Sequence, residues 1–335
     1  MEQKIVFDKS GVKLTWYHTL ALWLWIGWIT VYLVLLMVLP PLLYFGLYLQ
    51  NAACKSILFY LTTTLFVFAV LPCERKVQPQ WAKDIGDWIA HRACEYFSIK
   101  VVLEDEEALS KASPAFFVLE PHDVLPLSII SFSDAVSSIK GHKFAGCITS
   151  FCFLIPFMRH FYSWARAVPA TKEVINDLLF SGVSPCICPG GVQEAALIAP
   201  QAAKEINVYL LKRKGFIKIA ISHGVPIVPV FCFGLQSSFD FYVIKNSLLK
   251  WIGRKIGFMP MIFFGAHGIP YGPAKSCPYV NVVGAPIPTG AKKPYKEVTD
   301  TEVDVIHAAY IEALKALYER NKAKYGYGDI KLNIH

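Results

Sequence analysis

Paired cysteine motifs are missing from this chain of 335 residues, although it contains nine cysteines. No CxxC pair occurs, and many of the cysteines stand inside apolar runs, which indicates buried, reduced thiols rather than a disulfide framework. Cys186 and Cys188 alternate as in a strand, but no second pair of ligands follows at zinc-like spacing. The sequence therefore predicts neither a disulfide scaffold nor a metal site.

Several common motifs of enzymes and nucleic-acid-binding proteins are absent too. The chain has no GxSxG serine elbow, no P-loop and no GxGxxG, which argues against a serine hydrolase, a P-loop nucleotidase and a dinucleotide-binding enzyme. It also lacks the signature of a nucleic-acid-binding module. The net charge of +8 is therefore better suited to anionic lipid headgroups or a polyphosphate ligand than to nucleic acid.

Charged residues are almost missing from residues 17–49, and a second apolar run covers residues 56–71. With 54% hydrophobic residues, the chain has more apolar surface than a soluble core needs, so part of it is expected to face lipid. A helix that crosses a bilayer needs roughly 20 apolar residues, so the first run is long enough and the second is marginal. A cleaved signal peptide fits poorly, because the first run is too long.

Pro40 and Pro41 divide the first run and argue against one straight helix. Two arrangements remain open: residues 17–39 span the membrane and the rest re-enters it, or the two runs form a hairpin that returns to the same side. Basic residues on both flanks favour the hairpin with both ends in the cytosol; they are Lys4, Lys9, Lys13, Arg75, Lys76 and Lys83. The predicted organisation is a cytosolic N-terminal segment (residues 1–16), a membrane hairpin (17–72) and an α/β domain (73–335).

Strand and helix patterns alternate after the hairpin, which is typical of an α/β domain. Helices are predicted over residues 83–97, 172–181, 204–222 and 302–324. Strands are predicted over residues 100–103, 115–119, 144–149, 186–188, 226–233 and 281–285. Pro226 and Pro229 place the strand over 226–233 at an edge or an end of the sheet.

The most informative segment carries ionisable residues directly after an apolar strand. Pro121 fixes its own φ and restricts the residue before it, so His122 is held stiffly at the end of the strand. An imidazole flanked by the carboxylates of Glu120 and Asp123 is the usual group for taking a proton from a hydroxyl near neutral pH. The structural alternative is that Asp123 caps a helix over residues 124–132 and His122 is merely exposed.

A second candidate site lies at residues 189–194, where Gly190 and Gly191 follow a strand and Glu194 begins a helical stretch. Glycines let a backbone approach a ligand, and free amides at a helix start bind anions. The alternative is a tight turn in which Glu194 only complements the helix dipole.

The basic segment 211–220 mixes cations with apolar residues. Arg213 and Lys214 are suited to the phosphates of coenzyme A, for which arginine offers bidentate geometry. The alternative is a surface helix with a solvated basic face.

Five blocks follow one another along the chain: Glu120-Pro121-His122-Asp123, Pro189-Gly190-Gly191-Val192-Gln193-Glu194, Arg213-Lys214-Gly215-Phe216, the segment from His223 to Gly234, and Val282-Val283-Gly284-Ala285-Pro286-Ile287. In this order they resemble the type-2 diacylglycerol acyltransferase family. The resemblance runs from about the hairpin to about Lys324. It implies a protein of the endoplasmic-reticulum membrane that moves a fatty acyl group from acyl-CoA to diacylglycerol, and an α/β domain like that of the glycerol-phosphate acyltransferases.

The first block departs from the usual family patterns, which are His-Pro-His-Gly in animals and Glu-Pro-His-Ser in plants. Only Pro121 and His122 match both, so the resemblance carries the catalytic role to His122 alone, and Glu120 indicates a plant-like or algal source. The glycerol-phosphate relatives have an aspartate further downstream, where this chain has Leu127. We therefore expect the partner of the imidazole to be Glu194 or Asp123.

The expected mechanism has His122 as general base, with no covalent acyl-enzyme and no resident cofactor, since acyl-CoA is a co-substrate. Amides near Gly190 and Gly191 would stabilise the oxyanion, and Arg213 and Lys214 would hold coenzyme A, with Arg159 a further candidate.

Several partners and properties follow as expectations. The partners are acyl-CoA, diacylglycerol and membrane lipids; a homo-oligomer and a lipid-droplet location are left open. Two other functions also remain open: transfer to monoacylglycerol or a long-chain alcohol, and a non-catalytic role in shaping membranes or lipid droplets.

Overall fold

The computed structural model describes residues 3–71, 78–137, 139–244, 246–248, 251, 253 and 261–335. Its strands, in chain order, are β1 Lys4–Asp8, β2 Lys100–Leu103, β3 Phe116–Glu120, β4 Lys143–Ile148, β5 Val168–Pro169, β6 Val183–Ile187, β7 Glu205–Val208, β8 Ile227–Phe233, β9 Asp240–Val243, β10 Met261–Phe264, β11 Val280–Val283 and β12 Lys331–Ile334. Its helices are α1 Trp16–Ile26, α2 Trp28–Leu43, α3 Ala52–Val70, α4 Gln80–Tyr96, α5 Glu106–Ser110, α6 Met158–Trp164, α7 Lys172–Phe180, α8 Gly191–Ala195, α9 Gly215–His223 and α10 Asp300–Asn321.

The central sheet has the strand order β1-β2-β11-β8-β3-β6-β4-β5. The strands from β8 to β5 run parallel. β11 and β2 run in the opposite direction, and β1 is antiparallel to β2. Two smaller sheets pair β9 with β10 and β7 with β12. This mixed architecture confirms the predicted α/β class.

Both faces of the sheet are covered, as alternate residues of β3 show. Phe117 and Leu119 pack into one core with residues of α1 and α4. Phe116 and Val118 pack into a second core with residues of α7, α9 and α10. A strand buried on both faces has no polar side to show, which explains its continuous apolar sequence. Polar functional groups can then stand only where the strands end.

Most of the predicted elements are present, with their ends shifted by a few residues, but the helix predicted over 204–222 is wrong. Residues 205–208 form β7, which pairs in parallel with β12 near the C-terminus, and α9 begins only at Gly215. The partner strand lies more than a hundred residues away along the chain, so local periodicity could not decide between helix and strand for so short a segment.

Of the two positions predicted for the strand over 226–233, the edge of the sheet is wrong, because β8 lies between β11 and β3. Pro226 does stand at an end, immediately before β8 begins at Ile227. The Pro229 carbonyl accepts the Gly284 N–H at 2.9 Å, one residue beyond the end of β11 at Val283. The N–H and C=O of a strand residue point to the same side. The N–H that proline lacks would therefore face Gly284, just beyond the last residue of β11, so the proline costs at most one hydrogen bond at the end of that ladder.

The N-terminal residues, predicted as a separate segment, contribute to this sheet. β1 pairs with β2, and the α1 residue His18 places its Nε2 atom 3.1 Å from Glu95 Oε2 in α4. The chain before α2 and the chain after α3 therefore belong to one folded unit.

Two helical stretches, Thr30–Tyr48 and Ala52–Val70, are long and apolar enough to cross a membrane, with mean hydropathies of 2.1 and 1.7. Almost nothing of either stretch is buried inside the protein. Pro40 and Pro41 lie within α2 and do not end it; a π-helical turn follows at Tyr44–Tyr48. The predicted boundary between residues 72 and 73, with Arg75 and Lys76, lies outside the described residues.

Candidate active site

The two candidate motifs meet because the strands that carry them are neighbours. β3 and β6 are parallel and adjacent, with Phe117 opposite Cys186 and Val118 opposite Ile187. Their carboxyl ends therefore lie side by side, which brings His122 after β3 next to the glycine turn after β6. Ligands of open α/β sheets usually bind at this edge of the sheet.

Glu194 binds the backbone of the histidine turn rather than the imidazole. Its Oε1 atom accepts a hydrogen bond from the His122 backbone N–H, and its Oε2 atom accepts the Tyr209 N–H at 3.0 Å. The side chain is fully buried. Glu194 therefore joins three segments: the turn after β3, helix α8 and the residue that follows β7.

Glu120, the last residue of β3, forms a buried carboxyl pair with Glu194. The two carboxyls are hydrogen-bonded to each other, and both are fully buried. Burial raises the pKa of both, and the charge of Glu194 raises the pKa of Glu120 further. The two backbone N–H groups favour the ionised form of Glu194. Of the two carboxyls, Glu120 is therefore the one that holds a proton more strongly.

The His122 ring has one nitrogen committed to the backbone. Its Nδ1 atom lies 2.9 Å from the Asp123 carbonyl oxygen. A carbonyl can only accept, so Nδ1 carries the hydrogen and Nε2 is left with its lone pair. Burial lowers the pKa of His122 below its usual value of 6.5, so the ring is neutral at pH 7. This is the tautomer and charge that a general base needs.

The Asp123 carboxylate forms a hydrogen bond within its own turn. The residue has a left-handed φ of 53°, and its Oδ1 atom accepts the Val124 N–H at 2.6 Å. Burial raises the pKa of Asp123 to about 6. The helix considered over 124–132 is a 3₁₀ helix at Leu127–Phe132 instead.

The two positions after β6 need glycine for different structural reasons. A Cβ atom on Gly190 would lie 2.0 Å from Glu194 Oε2, so any side chain there would displace the buried carboxylate. Gly191 has a φ of +54° and open space around its Cα, in a conformation that favours glycine. The turn thus leaves room for Glu194 on one side and for a ligand on the other.

A single cavity of about 1170 Å³ runs past these residues. His122, Cys188 and Gly191 lie in its wall, and most of the remaining lining is apolar. Two cations, Lys172 and Arg213, also belong to the lining.

The structure separates the predicted cations. Arg213 lines the cavity and donates from Nη2 to the Gly190 carbonyl at 3.1 Å. Lys214 lies at the surface in an ion pair of 2.6 Å with Asp304. Arg159 donates from Nη1 to the Ala69 carbonyl at 2.9 Å, beside the end of α3, and is not among the cavity-lining residues.

Sequence reasoning missed two cavity residues, Lys172 and Cys188. The Lys172 ammonium lies 3.3 Å from the centre of the Tyr295 ring, at the start of α7. The Cys188 thiol donates to Glu120 Oε2 at 3.8 Å, and burial raises its pKa well above the usual value, so it stays protonated. Cys188 could have been found as the residue just before the glycine turn; a lone Lys172 gave no signal. Within the described part of the chain, no group of three or more histidine, cysteine or acidic residues could hold a metal ion.

Comparison with known proteins identifies the family. The sequence model named "Diacylglycerol acyltransferase" matches residues 47–335. The chain belongs to this family. Membership confirms the predicted family and the predicted enzyme class, an acyl-CoA:diacylglycerol O-acyltransferase. Together with the two apolar helices, it indicates a membrane-associated protein.

Similar curated proteins cover most of the chain. Diacylglycerol O-acyltransferase 2 of Homo sapiens is 29% identical over 82% of this chain and 76% of its own length, and that of Xenopus tropicalis is 27% identical over 84% and 83%. Acyl-CoA wax alcohol acyltransferase 1 of Homo sapiens is 29% identical over 89% and 92%. Among solved structures, the 1-acyl-sn-glycerophosphate (LPA) acyltransferase PlsC from Thermotoga maritima is similar at a TM-score of 0.39 and 16% identity, over 85% of this chain and 95% of that one.

Proposed function

We propose that this chain transfers a fatty acyl group from acyl-CoA to the free hydroxyl of diacylglycerol, giving triacylglycerol, with His122 as the general base. The observation that carries the proposal is the hydrogen bond of His122 Nδ1 to the Asp123 carbonyl. It leaves Nε2 basic on a ring that lies in the wall of a large, mostly apolar cavity.

The reaction balances without a covalent enzyme intermediate. His122 Nε2 takes the hydroxyl proton while the acceptor oxygen attacks the thioester carbonyl, which forms a tetrahedral oxyanion. Collapse of that intermediate breaks the carbon–sulfur bond, and the leaving coenzyme A thiolate takes the proton back from the imidazolium. Cys188 is no rival nucleophile, because its buried thiol stays protonated. No resident cofactor is needed for these steps.

The oxyanion is assigned to backbone amides at the glycine turn. Helix α8 begins at Gly191, so its first N–H groups have no carbonyl partner within the helix. Such amides stabilise developing negative charge without reorganising. Glu194 and Glu120 act indirectly, by holding the His122 backbone against this turn.

The phosphates of coenzyme A are assigned to the two cations of the cavity wall. Arg213 and Lys172 both line the cavity, and arginine and lysine are the usual partners of phosphate. Lys214 is a weaker candidate than the sequence suggested, because its ammonium already has a carboxylate partner in Asp304.

The two apolar helices are assigned to a membrane hairpin, attached to a glycerol-phosphate-acyltransferase-like α/β domain. β1 precedes both helices and β2 follows them, yet the two strands pair in one sheet. If the helices lie in a bilayer, the chain must therefore leave and return on the same side. A domain that faces the cytosol from the endoplasmic-reticulum membrane, or from a lipid droplet, would meet water-soluble acyl-CoA and a bilayer-dissolved acceptor together.

A long-chain alcohol is the second candidate acceptor. The human wax alcohol acyltransferase is as similar as the diacylglycerol enzymes and covers more of this chain. The mostly apolar cavity suits either acceptor.

The test is ester formation by the purified protein from labelled acyl-CoA and separate acceptors: diacylglycerol, monoacylglycerol and a long-chain alcohol. We expect triacylglycerol as the main product, and a loss of about 10²–10⁴-fold in H122A, the usual contribution of a general base. H335A, which changes an exposed histidine at the C-terminus, is the matched control and should keep full activity. A wax ester as the main product would identify a long-chain alcohol, not diacylglycerol, as the preferred acceptor. An active H122A would contradict the assignment of His122 as the general base.

A further inference from the structure

The cavity that contains His122 continues to the first apolar helix. On one side its lining includes Tyr32, Leu33 and Leu36 of α2, and on the other it includes the segment 154–156. We call this end, defined by these two groups of residues, the lateral opening. It lies on the part of the molecule that is apolar enough to enter a bilayer.

We propose that the acceptor lipid, a neutral glyceride with two acyl chains, enters the cavity sideways from the bilayer through the lateral opening, and that Tyr32 is its latch. This inference rests on the proposed function and adds the route and the side chains that select the acceptor.

The surface of the opening matches a neutral lipid. Leu36 is 67% exposed and Leu154 is 76% exposed, so both rims present large apolar side chains to the surroundings. Leaving such side chains in water is unfavourable, whereas hydrocarbon receives them without cost. The cations that suit coenzyme A, Arg213 and Lys172, belong to other segments of the lining, and Arg213 is hydrogen-bonded to the glycine turn through the Gly190 carbonyl. The same cavity therefore offers cations to an anionic substrate and, at the lateral opening, apolar side chains to an uncharged lipid.

A hydrogen bond and aromatic contacts hold the two sides of the opening together. The Tyr32 hydroxyl donates to the Pro156 carbonyl at 2.6 Å and so joins α2 to the opposite rim. Phe157, the next residue, has a left-handed φ of 59°. Its ring stacks on Trp28 at 5.4 Å and packs against Phe68 of α3 at 4.1 Å. The segment 154–157 is thus packed against both apolar helices. A movement of α2 that breaks the hydrogen bond between Tyr32 and the Pro156 carbonyl would widen the opening.

Substitutions on adjacent residues of α2 test the route. Leu36→Trp adds bulk in the opening, whereas Met37→Trp adds the same bulk at a neighbouring residue that is 77% exposed and does not line the cavity. We expect L36W to raise the KM for dioleoylglycerol at least tenfold with the KM for acyl-CoA within twofold, and M37W to match the parent protein. L36M, which keeps the size of the side chain at this position, should have the KM of the parent protein for dioleoylglycerol. Y32F should lower that KM, because it removes the hydrogen bond that holds the opening closed. Equal KM values for dioleoylglycerol in L36W, M37W and the parent would overturn the proposal.

Photolabelling of the unsubstituted protein gives a second readout that does not depend on how L36W folds. The probe is a diazirine-bearing diacylglycerol in phosphatidylcholine vesicles, and labelled peptides are identified by mass spectrometry. Labelling of residues 154–156 should be competed by excess dioleoylglycerol, while labelling near Phe66, an exposed residue of α3, should not. Competition by palmitoyl-CoA alone, or no competition, would overturn the lipid route. A parent protein that forms no ester would instead refute the proposed function, so the two failures are distinguishable.

Discussion

The Glu194 carboxylate accepts the backbone N–H of His122 through Oε1, while its other oxygen accepts the N–H of Tyr209. A buried carboxylate is costly unless several donors surround it. Here the donors are backbone groups from two separate turns. Glu194, which the sequence analysis proposed as a partner of the imidazole, is therefore a partner of the loop that carries the imidazole.

The first prediction separates the two members of the buried carboxyl pair. Glu194→Gln places an amide NH₂ against one of two backbone N–H donors, so a buried donor loses its acceptor, at a cost of roughly 1–3 kcal/mol. We expect lower thermal stability and a lower kcat. Glu120→Gln should be tolerated, because Glu120 holds a proton more strongly than Glu194 does and a neutral amide can still donate to Glu194. Thermal melts and initial rates decide, and equal effects of both changes would contradict the assigned proton.

The same pair predicts how stability depends on pH. Both carboxyls have pKa values raised above the usual 4.5, so the folded chain holds more protons than the unfolded chain just above that pH. Stability should therefore fall as pH rises from about 4.5 towards neutrality. Glu120→Gln should flatten this slope in melts recorded across that range, and an unchanged slope would count against the pair as its source.

The second prediction concerns the residue after the base. The Asp123 carboxylate accepts the Val124 N–H, and only its backbone carbonyl meets the imidazole. Asp123→Asn keeps an acceptor oxygen, and asparagine tolerates the left-handed φ, so we expect activity within a few-fold. A carboxylate that oriented the imidazole in a triad would instead be worth about 10⁴ in kcat.

The pH profile of that variant identifies the titrating group. The pKa of His122 is lowered, so its neutral form should be lost, and with it the activity, only as pH falls below about 6.5. The acid limb of kcat/KM should persist in D123N. If it disappeared, the limb would belong to Asp123, whose pKa is about 6.

The third prediction uses the cavity cations. Arg213→Gln and Lys172→Gln should each raise the KM for acyl-CoA about tenfold, as expected for loss of one charge-assisted contact of about 1.4 kcal/mol, with little change in the acceptor KM. Lys214→Gln is the matched control: its exposed ion pair with Asp304 should contribute little. If Lys214→Gln raised the KM for acyl-CoA more than Lys172→Gln did, Lys214 would be the coenzyme A contact, as the sequence predicted.

The fourth prediction tests the space reserved for Glu194. Gly190→Ala would place a methyl group 2.0 Å from Oε2, so the carboxylate must move, and overpacking of this kind usually costs roughly 1–3 kcal/mol. We expect a clear loss of activity together with a lower melting temperature. Gly328→Ala, at a glycine with open space around it, should leave both unchanged. A fully active G190A would mean that Glu194 has another acceptable position.

The fifth prediction is the topology. Because β1 and β2 pair in one sheet, a tag at the N-terminus and a tag after His335 should both be digested by protease added outside sealed microsomes. Protection of only one tag would require an odd number of crossings, and the hairpin would have to be abandoned.

Local patterns were sufficient wherever one segment carries the whole signal. The apolar run of β3, the proline that precedes His122 and the two glycines after β6 are all visible in the sequence, and the ordered blocks led to the family. Local patterns failed where a distant partner decides the outcome. β7 is a strand because β12 pairs with it, and Pro229 is accepted inside the sheet because β11 ends opposite it.

The sequence by itself thus determined the fold class, the family and the residues that can carry charge or a proton, because these follow from side-chain chemistry and local periodicity. The tertiary structure alone decided which groups come together: Glu194 with the His122 backbone, and Lys172, Arg213 and residues of α2 in the lining of one cavity. The physical reason is that hydrogen bonds and cavity walls depend on distances of a few ångströms between segments far apart in the chain. Those distances exist only after the sheet has aligned the ends of its strands.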